Sequence, residues 1–166
     1  SDVCSSDLST NIVSLFDLKL DTVFSIFGEP DHIEREKVIQ KFGKDTRGSD
    51  EALFYEKYKL AFLTRKHFEY AGYLETRHWI HKLYFEDCYV NSMVIQKGSP
   101  ILVNNKKFKE LKNQADLENL FRGYLIQSEN NISIIHHQLS ELIDLEFRFY
   151  LNEQKEIEKL IITEDL

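Results

Sequence analysis

The chain has 166 residues, of which 42% are hydrophobic and 13% aromatic, and this composition excludes a disordered protein. Lysine and arginine number 21 against 28 acidic residues, and the net charge of -7 argues against nucleic-acid binding, which usually needs a basic surface. The acidity instead favours a basic protein partner. The lysines between Lys97 and Lys112 are interpreted as a solvated face.

The sequence shows no stretch of about 20 apolar residues that could span a membrane, and no basic-then-apolar signal peptide. The two cysteines, Cys4 and Cys88, lie far apart in unlike contexts, which favours a reducing compartment. We therefore expect a cytoplasmic protein that does not enter a membrane. Residues 1–10 resemble translated adapter sequence, and we expect a non-native or disordered tail there.

Residues 20–28 have the pattern of a short helix. Asp21 is a favourable N-cap, and Gly28 followed by Pro30 predicts the end of the helix. The apolar stripe is formed by Val23, Ile26 and Phe27.

Strand-like segments follow this helix. Weak alternation predicts a strand over 32–40, and residues 42–50 are rich in turn formers. A strand is predicted over 52–63 and another over 83–95, because both segments are rich in aromatic and aliphatic residues.

The second half begins with a predicted hairpin whose turn is Asn104-Asn105. A second helix is predicted to begin at Asn113 as N-cap, with Asp116 at the third position and Gly123 after its end. Its apolar stripe is formed by Leu117, Leu120 and Phe121.

Three strands are predicted after this second helix. They cover residues 132–136, 145–151 and 157–163, and a turn is predicted at 152–155. The alternation in 144–151 is the clearest strand signal in the chain, with Leu, Phe, Phe and Leu on one face and charged residues or tyrosine on the other.

Both halves therefore read as a helix followed by an antiparallel meander. The sequence predicts an α+β protein made of two divergent repeats, a first unit over residues 11–97 with an insertion at 65–82, and a second unit over residues 98–166. Side-by-side packing of the two units would bury more apolar area than one small unit can.

The segment Leu-Lys-Leu-Asp-Thr-Val-Phe-Ser-Ile-Phe-Gly-Glu-Pro at 18–30 resembles the opening of several small bacterial domains. Outer-membrane assembly lipoproteins of the BamE type and the tandem-repeat β-lactamase inhibitor proteins are similar in this capped helix, the Gly-x-Pro ending and the following meander. The resemblance implies a helix-plus-meander fold and a binding module more than an enzyme.

The insertion at 65–82 is the first candidate for a functional site. It carries residue types that dominate protein–protein hot spots, and the residues we select as a partner-binding surface are Tyr70, Tyr73, Arg77 and Trp79. The alternative to a binding surface is that the insertion only extends the sheet and leaves its aromatic residues half exposed.

The same insertion offers a weaker metal site. If it were helical, Glu75, His78 and His81 would follow each other at spacings of three and share roughly one face, as ligands of zinc or iron do. In a hairpin they would divide between two faces. The sequence shows no phosphate loop, nucleophile elbow or other catalytic motif, so we predict no enzyme activity and no cofactor.

These observations predict a non-enzymatic protein-binding module, and more specifically a bacterial immunity or inhibitor protein that neutralises a basic toxin or enzyme. Two alternatives remain open. One is an envelope-assembly or structural domain, and the other is a metal- or small-ligand-binding protein that uses the histidines of the insertion.

Overall fold

The computed structural model describes residues 11–16, 19–35, 42, 49–76, 79–141 and 143–165, and for 66–89 the description concerns the backbone. Two α-helices, α1 (Leu20–Phe27) and α2 (Gln114–Leu120), each precede a run of strands. The strands are β1 (His32–Arg35), β2 (Glu51–Tyr55), β3 (Leu60–Thr76), β4 (Trp79–Gln96), β5 (Leu102–Val103), β6 (Lys106–Lys107), β7 (Ile126–Glu129), β8 (Ile132–Gln138), β9 (Asp144–Leu151) and β10 (Ile157–Asp165).

Eight of these strands form one antiparallel sheet in the order β1-β2-β3-β4-β10-β9-β8-β7, and β5 and β6 form a separate small hairpin. The two meanders meet in the middle of the sheet, where β10 pairs with β4 from Lys159 opposite Gln96 to Thr163 opposite Ser92. The predicted α+β class is confirmed in this form, a large antiparallel sheet with two helices in the described residues.

Both helices pack on the same face of the sheet. Val23 of α1 and Leu117 of α2 are fully buried in one apolar cluster, together with Phe121 directly after α2. The strands contribute their alternate residues to it: Leu53, Tyr55, Leu60, Phe62, Val90, Met93, Ile95, Ile135, Leu145, Phe147, Phe149, Leu160 and Ile162. This face is therefore the main core, and its continuity across β4 and β10 joins the two halves.

The opposite face carries a smaller buried cluster at its centre. Ala52, Ala61, Leu63, Val94 and Ile161 are all at most 4% exposed, and Phe42 packs against them. On β9 the residues of this face, Glu146, Arg148 and Tyr150, are partly exposed, so the described part of the sheet is buried on both sides at its centre and on one side at β9.

Helix α1 differs from its prediction at the N-terminus. It begins at Leu20, with Lys19 as the N-cap residue, and Asp21 lies in the first turn instead of capping it. An acidic residue there still interacts favourably with the helix dipole. The predicted end is confirmed, since Gly28 adopts a φ of 79° that glycine accepts without strain.

Helix α2 is confirmed with its capping residues. The Asn113 side chain accepts a hydrogen bond from the Asp116 backbone N–H, and the Asp116 carboxylate accepts one from the Asn113 N–H. This reciprocal pair is a capping box, which satisfies two backbone donors that the first turn leaves unpaired.

The single strand predicted over 52–63 is wrong. Strand β2 ends at Tyr55, a short 3-10 turn covers Glu56–Tyr58, and Lys59 adopts a φ of 49° before β3 begins. The prediction failed because this tight turn contains no glycine, asparagine or proline. The strand expected over 32–40 is seen at His32–Arg35, and 36–40 lies outside the described residues.

The second meander matches its prediction more closely. Leu145, Phe147 and Phe149 of β9 are buried on the helix side, and the turn at 152–155 is present between β9 and β10. Asn104 and Asn105 both have positive φ in the predicted hairpin turn. Strand β7 was not predicted. No helix of the described residues is long and apolar enough to cross a membrane.

Candidate partner-binding surface

The longest hairpin of the protein projects beyond the sheet. Strands β3 and β4 pair continuously from Leu60 opposite Ile95 to Thr76 opposite Trp79. Their outer neighbours stop early, because β2 pairs with β3 no further than Thr64 and β10 pairs with β4 no further than Ser92. We call residues 65–76 and 79–90, which extend past both neighbours, the arm. Each strand of it would measure about 40 Å if fully extended at ~3.3 Å per residue.

A β-bulge marks the point at which the arm leaves the sheet. Leu63 faces Ser92 and Thr64 faces Val90, so Asn91 is an extra residue in β4. The Ser49 hydroxyl donates a hydrogen bond of 3.1 Å to the Asn91 side-chain oxygen, and Ser49 itself is only 5% exposed. A bulge bends and twists a strand, and the partly buried Ser49–Asn91 hydrogen bond holds this bulge at the base of the arm.

The arm contains most of the predicted partner-binding residues. The ladder places Tyr70 opposite Tyr84, Tyr73 opposite Lys82 and Trp79 opposite Thr76. Arg77 lies outside the described residues. The structure therefore brings three of the four selected positions into one projecting ribbon, and their role in binding stays a prediction.

The helical spacing behind the metal alternative is absent. Glu75 lies in β3 opposite Ile80, and His81 lies in β4 opposite Leu74. These are adjacent rungs of the ladder and so have opposite parity. His78 lies outside the described residues.

The Gly-Glu-Pro segment after α1 is held by a buried tyrosine. The Tyr55 hydroxyl donates a hydrogen bond of 2.8 Å to the Gly28 carbonyl, and Tyr55 is 3% exposed. Burial first, and then the carboxylates of Glu29 and Asp31, raise the pKa of this hydroxyl well above its usual range. Tyr55 is therefore a neutral hydrogen-bond donor that anchors the segment, which gives the segment a structural role.

A shallow apolar hollow lies on the sheet face opposite the helices. Its volume is about 230 Å³, and Phe42, Phe54, Ala61 and Val94 form most of its wall. No local sequence pattern indicates this hollow, because its wall combines Phe42 with residues of the strands β2, β3 and β4. Glu56, Lys59 and Gln96 also border the hollow.

The lysine-rich segment borders a cleft of about 360 Å³, which is closed on the other side by Glu156 and Ile157 at the start of β10. Lys97, Lys109 and Lys112 are exposed there, as a solvated face requires, and Glu110 and Glu156 lie among them. The Lys97 Nζ is 3.6 Å from a carboxylate oxygen of Glu156. Charges of both signs therefore border this cleft.

Another polar contact lies at the far end of the sheet. The Tyr124 hydroxyl and Nδ1 of His137 are 2.8 Å apart, and the neighbouring Leu125 is 78% exposed. Sequence analysis did not single out Tyr124, and its pairing with His137 depends on the register of β7 against β8. Within the described residues, no group of three His, Cys, Asp or Glu side chains is arranged to hold a metal ion.

No protein-family model and no curated protein matches this sequence. Among solved structures, the fold is similar to the 1.5 Å crystal structure of an extracellular protein containing an SCP domain from Bacillus anthracis str. Ames. The TM-score is 0.51, the sequence identity is 12%, and the match covers 96% of this chain and 47% of that chain. The likeness shows the fold alone, and this chain spans about half the length of that protein.

Proposed function

We propose that this chain is a non-enzymatic protein-binding module that engages its partner through the arm. The observation that carries the proposal is the projection of β3 and β4 beyond β2 and β10. A ribbon of two strands is marginally stable alone in water, so a long one gains stability by packing against something else. A partner protein would supply that surface.

The residue types of the arm support a protein partner. Residues 65–90 contain four tyrosines, two phenylalanines, one tryptophan and two arginines, and tyrosine, tryptophan and arginine are enriched in interface hot spots. An aromatic side chain contributes a large contact area for few rotatable bonds, which favours rigid recognition.

The net charge of -7 suggests the chemistry of the partner. An acidic protein attracts a basic one over a distance, and this attraction raises the rate of association. We therefore propose a basic toxin or enzyme as the partner, which this chain would neutralise as an immunity or inhibitor protein.

The two-repeat organisation belongs to the same proposal. It is supported by the order of elements, because each helix is followed by four strands of the large sheet and the two last strands, β4 and β10, pair with each other. Superposing residues 11–97 without the arm on residues 98–166 tests it. Helices and strands that coincide in order and direction would support two copies of one unit, and helices on unrelated strands would refute it.

The cellular location is part of the proposal as well. The cysteine usage favours a cytoplasmic protein, whereas the structural neighbour is described as extracellular, which favours the envelope-domain alternative. Fractionation of the cells that express the complete gene product distinguishes the two. Recovery in the cytosol supports the immunity reading, and recovery outside it supports the alternative.

The binding test uses purified protein to capture partners from its own cells and from the products of neighbouring genes. A variant with Tyr73→Ala and Trp79→Ala should lose the captured protein. A matched control with Tyr124→Ala and Leu125→Ala, which removes apolar surface at the far end of the sheet, should retain it. Equal capture by all three proteins would contradict a binding role for the arm.

A further inference from the structure

No described strand pairs with the outer edge of β4 along the arm. The described pairing of β10 with β4 runs from Gln96 to Ser92, and the next residues of β10, Glu164 and Asp165, pair with Leu145 and Asp144 of β9. Among the strands that the structure describes, β4 therefore has only β3 as a neighbour from Val90 to Trp79. An open edge of this length presents a row of backbone N–H and C=O groups that can pair with another strand.

The two edges of the arm differ in regularity. In β3 the register shifts between Tyr70 and Gly72, so Ala71 is an extra residue that interrupts its edge. Strand β4 has no extra residue between Trp79 and Val90, because the residue inserted at this shift belongs to β3. Bulges protect edge strands from pairing, so β3 is the blunted edge and β4 is the edge that can accept a partner strand.

We propose that the open edge of β4 pairs antiparallel with the same edge of a second copy of this chain, in a register centred on Tyr84. Symmetry limits the possible registers. Two identical antiparallel strands are related by a two-fold axis that passes midway between two directly opposed residues. Residues directly opposite each other lie on the same face of the sheet, so the residue on this axis must lie opposite its own copy. Each allowed register is thus named by its central residue.

The charges along β4 select one of these registers. Centring on Tyr84 places Lys82 opposite Glu86 and His81 opposite Asp87, twice each in the symmetric dimer. The remaining opposed pairs join residues of high β-propensity: Tyr84 with Tyr84, Leu83 with Phe85, Ile80 with Cys88 and Trp79 with Tyr89. Opposite charges and aromatic pairs across strands both stabilise a sheet.

The neighbouring registers lose this complementarity. Centring on Phe85 places Leu83 opposite Asp87 and leaves Lys82 opposite Cys88. Centring on Leu83 places Ile80 opposite Glu86 and Trp79 opposite Asp87. Both set carboxylates against apolar residues without a basic residue opposite, and this cost selects the register centred on Tyr84.

Pairing of this kind closes on itself. Within the arm, each copy pairs through the regular edge of β4, and the bulged edge of β3 does not continue the ribbon, so the pairing of arms stops at a dimer. The two arms would form a four-stranded ribbon, which satisfies the need of a two-stranded ribbon for neighbours. This inference does not depend on the identity of any other partner.

A charge exchange tests the dimer. The parent protein should show the mass of a dimer by light scattering at about 100 μM and dissociate on dilution. Lys82→Glu places two pairs of like charges across the two-fold axis and should weaken dimerisation at least about tenfold. Adding Glu86→Lys restores opposite charges and should restore the dimer. Within the arm, Lys82 faces Tyr73 and Glu86 faces Phe68, so neither change places like charges on opposed residues of one chain.

Disulfide formation tests the register. In a Cys4→Ser background, Ile80→Cys should form an intermolecular disulfide with native Cys88 on mild oxidation, because the two positions lie opposite each other only between copies. The matched control His81→Cys shifts the thiol by one residue to the other face and should not cross-link. A parent that remains monomeric, a Lys82→Glu variant that dimerises like the parent, or equal cross-linking of both cysteine variants would overturn the proposal. A monomeric parent that still captures another protein would leave the proposed function standing.

Discussion

The hydroxyl of Tyr55 donates a hydrogen bond of 2.8 Å to the carbonyl oxygen of Gly28, and this contact ties strand β2 to the segment that leaves helix α1. The Phe54 carbonyl accepts a hydrogen bond from the Asp31 N–H, and the Asp31 carboxylate accepts one from the Glu56 N–H. Three polar contacts thus hold the loop after α1 against the end of β2. The loop carries the Gly-x-Pro motif that the sequence made conspicuous.

Tyr55→Phe should lower the free energy of unfolding by about 1 kcal/mol, because it removes one buried hydrogen bond and leaves the ring in place. Urea denaturation at neutral pH measures the change. Tyr124→Phe is the matched control, since Tyr124 is 37% exposed and its hydroxyl can be replaced by water. If Tyr55→Phe lowers the free energy of unfolding no more than Tyr124→Phe does, the contact adds no stability.

The stability difference between the parent and Tyr55→Phe should depend on alkaline pH. Burial raises the pKa of the folded-state Tyr55 hydroxyl above its unfolded value of about 10, so its favourable contribution is complete below that pH and is lost as the pH rises above it. Above about pH 10 the parent should lose up to ~1.4 kcal/mol per pH unit more than the variant. The measurement is the free energy of unfolding of the parent and of Tyr55→Phe from pH 8 upwards. Two parallel curves would contradict a raised pKa of the Tyr55 hydroxyl.

Phe121→Ala should destabilise the fold by about 3–5 kcal/mol, because a large buried side chain leaves a cavity. Phe121 is 2% exposed, and its ring lies 5.7 Å from that of Phe147 and 5.8 Å from that of Phe149. Leu125→Ala, four residues further on and largely exposed, should change stability by less than about 0.5 kcal/mol. Similar losses in both variants would mean that Phe121 does not anchor α2 to the sheet.

Asn113→Ala should cost about 1 kcal/mol, because it removes the side-chain half of the capping box of α2. Asn119→Ala, on the exposed side of the same helix, should be neutral or slightly stabilising, since alanine is the better helix former. The melting temperatures of the two variants are compared, because both lose an asparagine but only Asn113→Ala loses the cap. Equal melting temperatures would contradict the role of the cap.

The arm should be removable without loss of the fold. Lys66 and Cys88 are opposed in the ladder, so replacing residues 67–87 by Asn-Gly closes the hairpin with a two-residue turn. The shortened protein should keep a cooperative unfolding transition, because the buried core of the described residues lies in the sheet below the arm. It should also be monomeric and capture no partner. A shortened chain that fails to fold would show that the arm is part of the core.

Local signals account for what the sequence predicted well. The capping box at Asn113, the Asn104-Asn105 turn and the alternation of β9 each depend on residues close together in the chain, and the structure contains all three. The turn between β2 and β3 escaped prediction because Lys59 adopts left-handed backbone geometry at a position where the sequence offers no typical turn residue.

The site was harder to predict than the fold. The sequence identified the insertion at 65–82 from its aromatic content, yet its histidine spacing suited a helix as well as a hairpin. The bulges at Ala71 and Asn91 decide which edge is regular and where the arm leaves the sheet, and neither residue type signals a bulge. The pairing of β4 with β10 is equally inaccessible, because it joins strands from opposite halves of the chain.

That central pairing also sets the order of events during synthesis on the ribosome. Strand β4 leaves the ribosome well before β10, and until β10 arrives its residues from Ser92 to Gln96 lack the neighbour that completes the sheet. The first meander must therefore wait with an open apolar edge while the whole second meander is made, a period in which nascent chains are prone to association. The native sheet closes only when both halves are present, so the folding of this protein is governed by a late contact between its two halves.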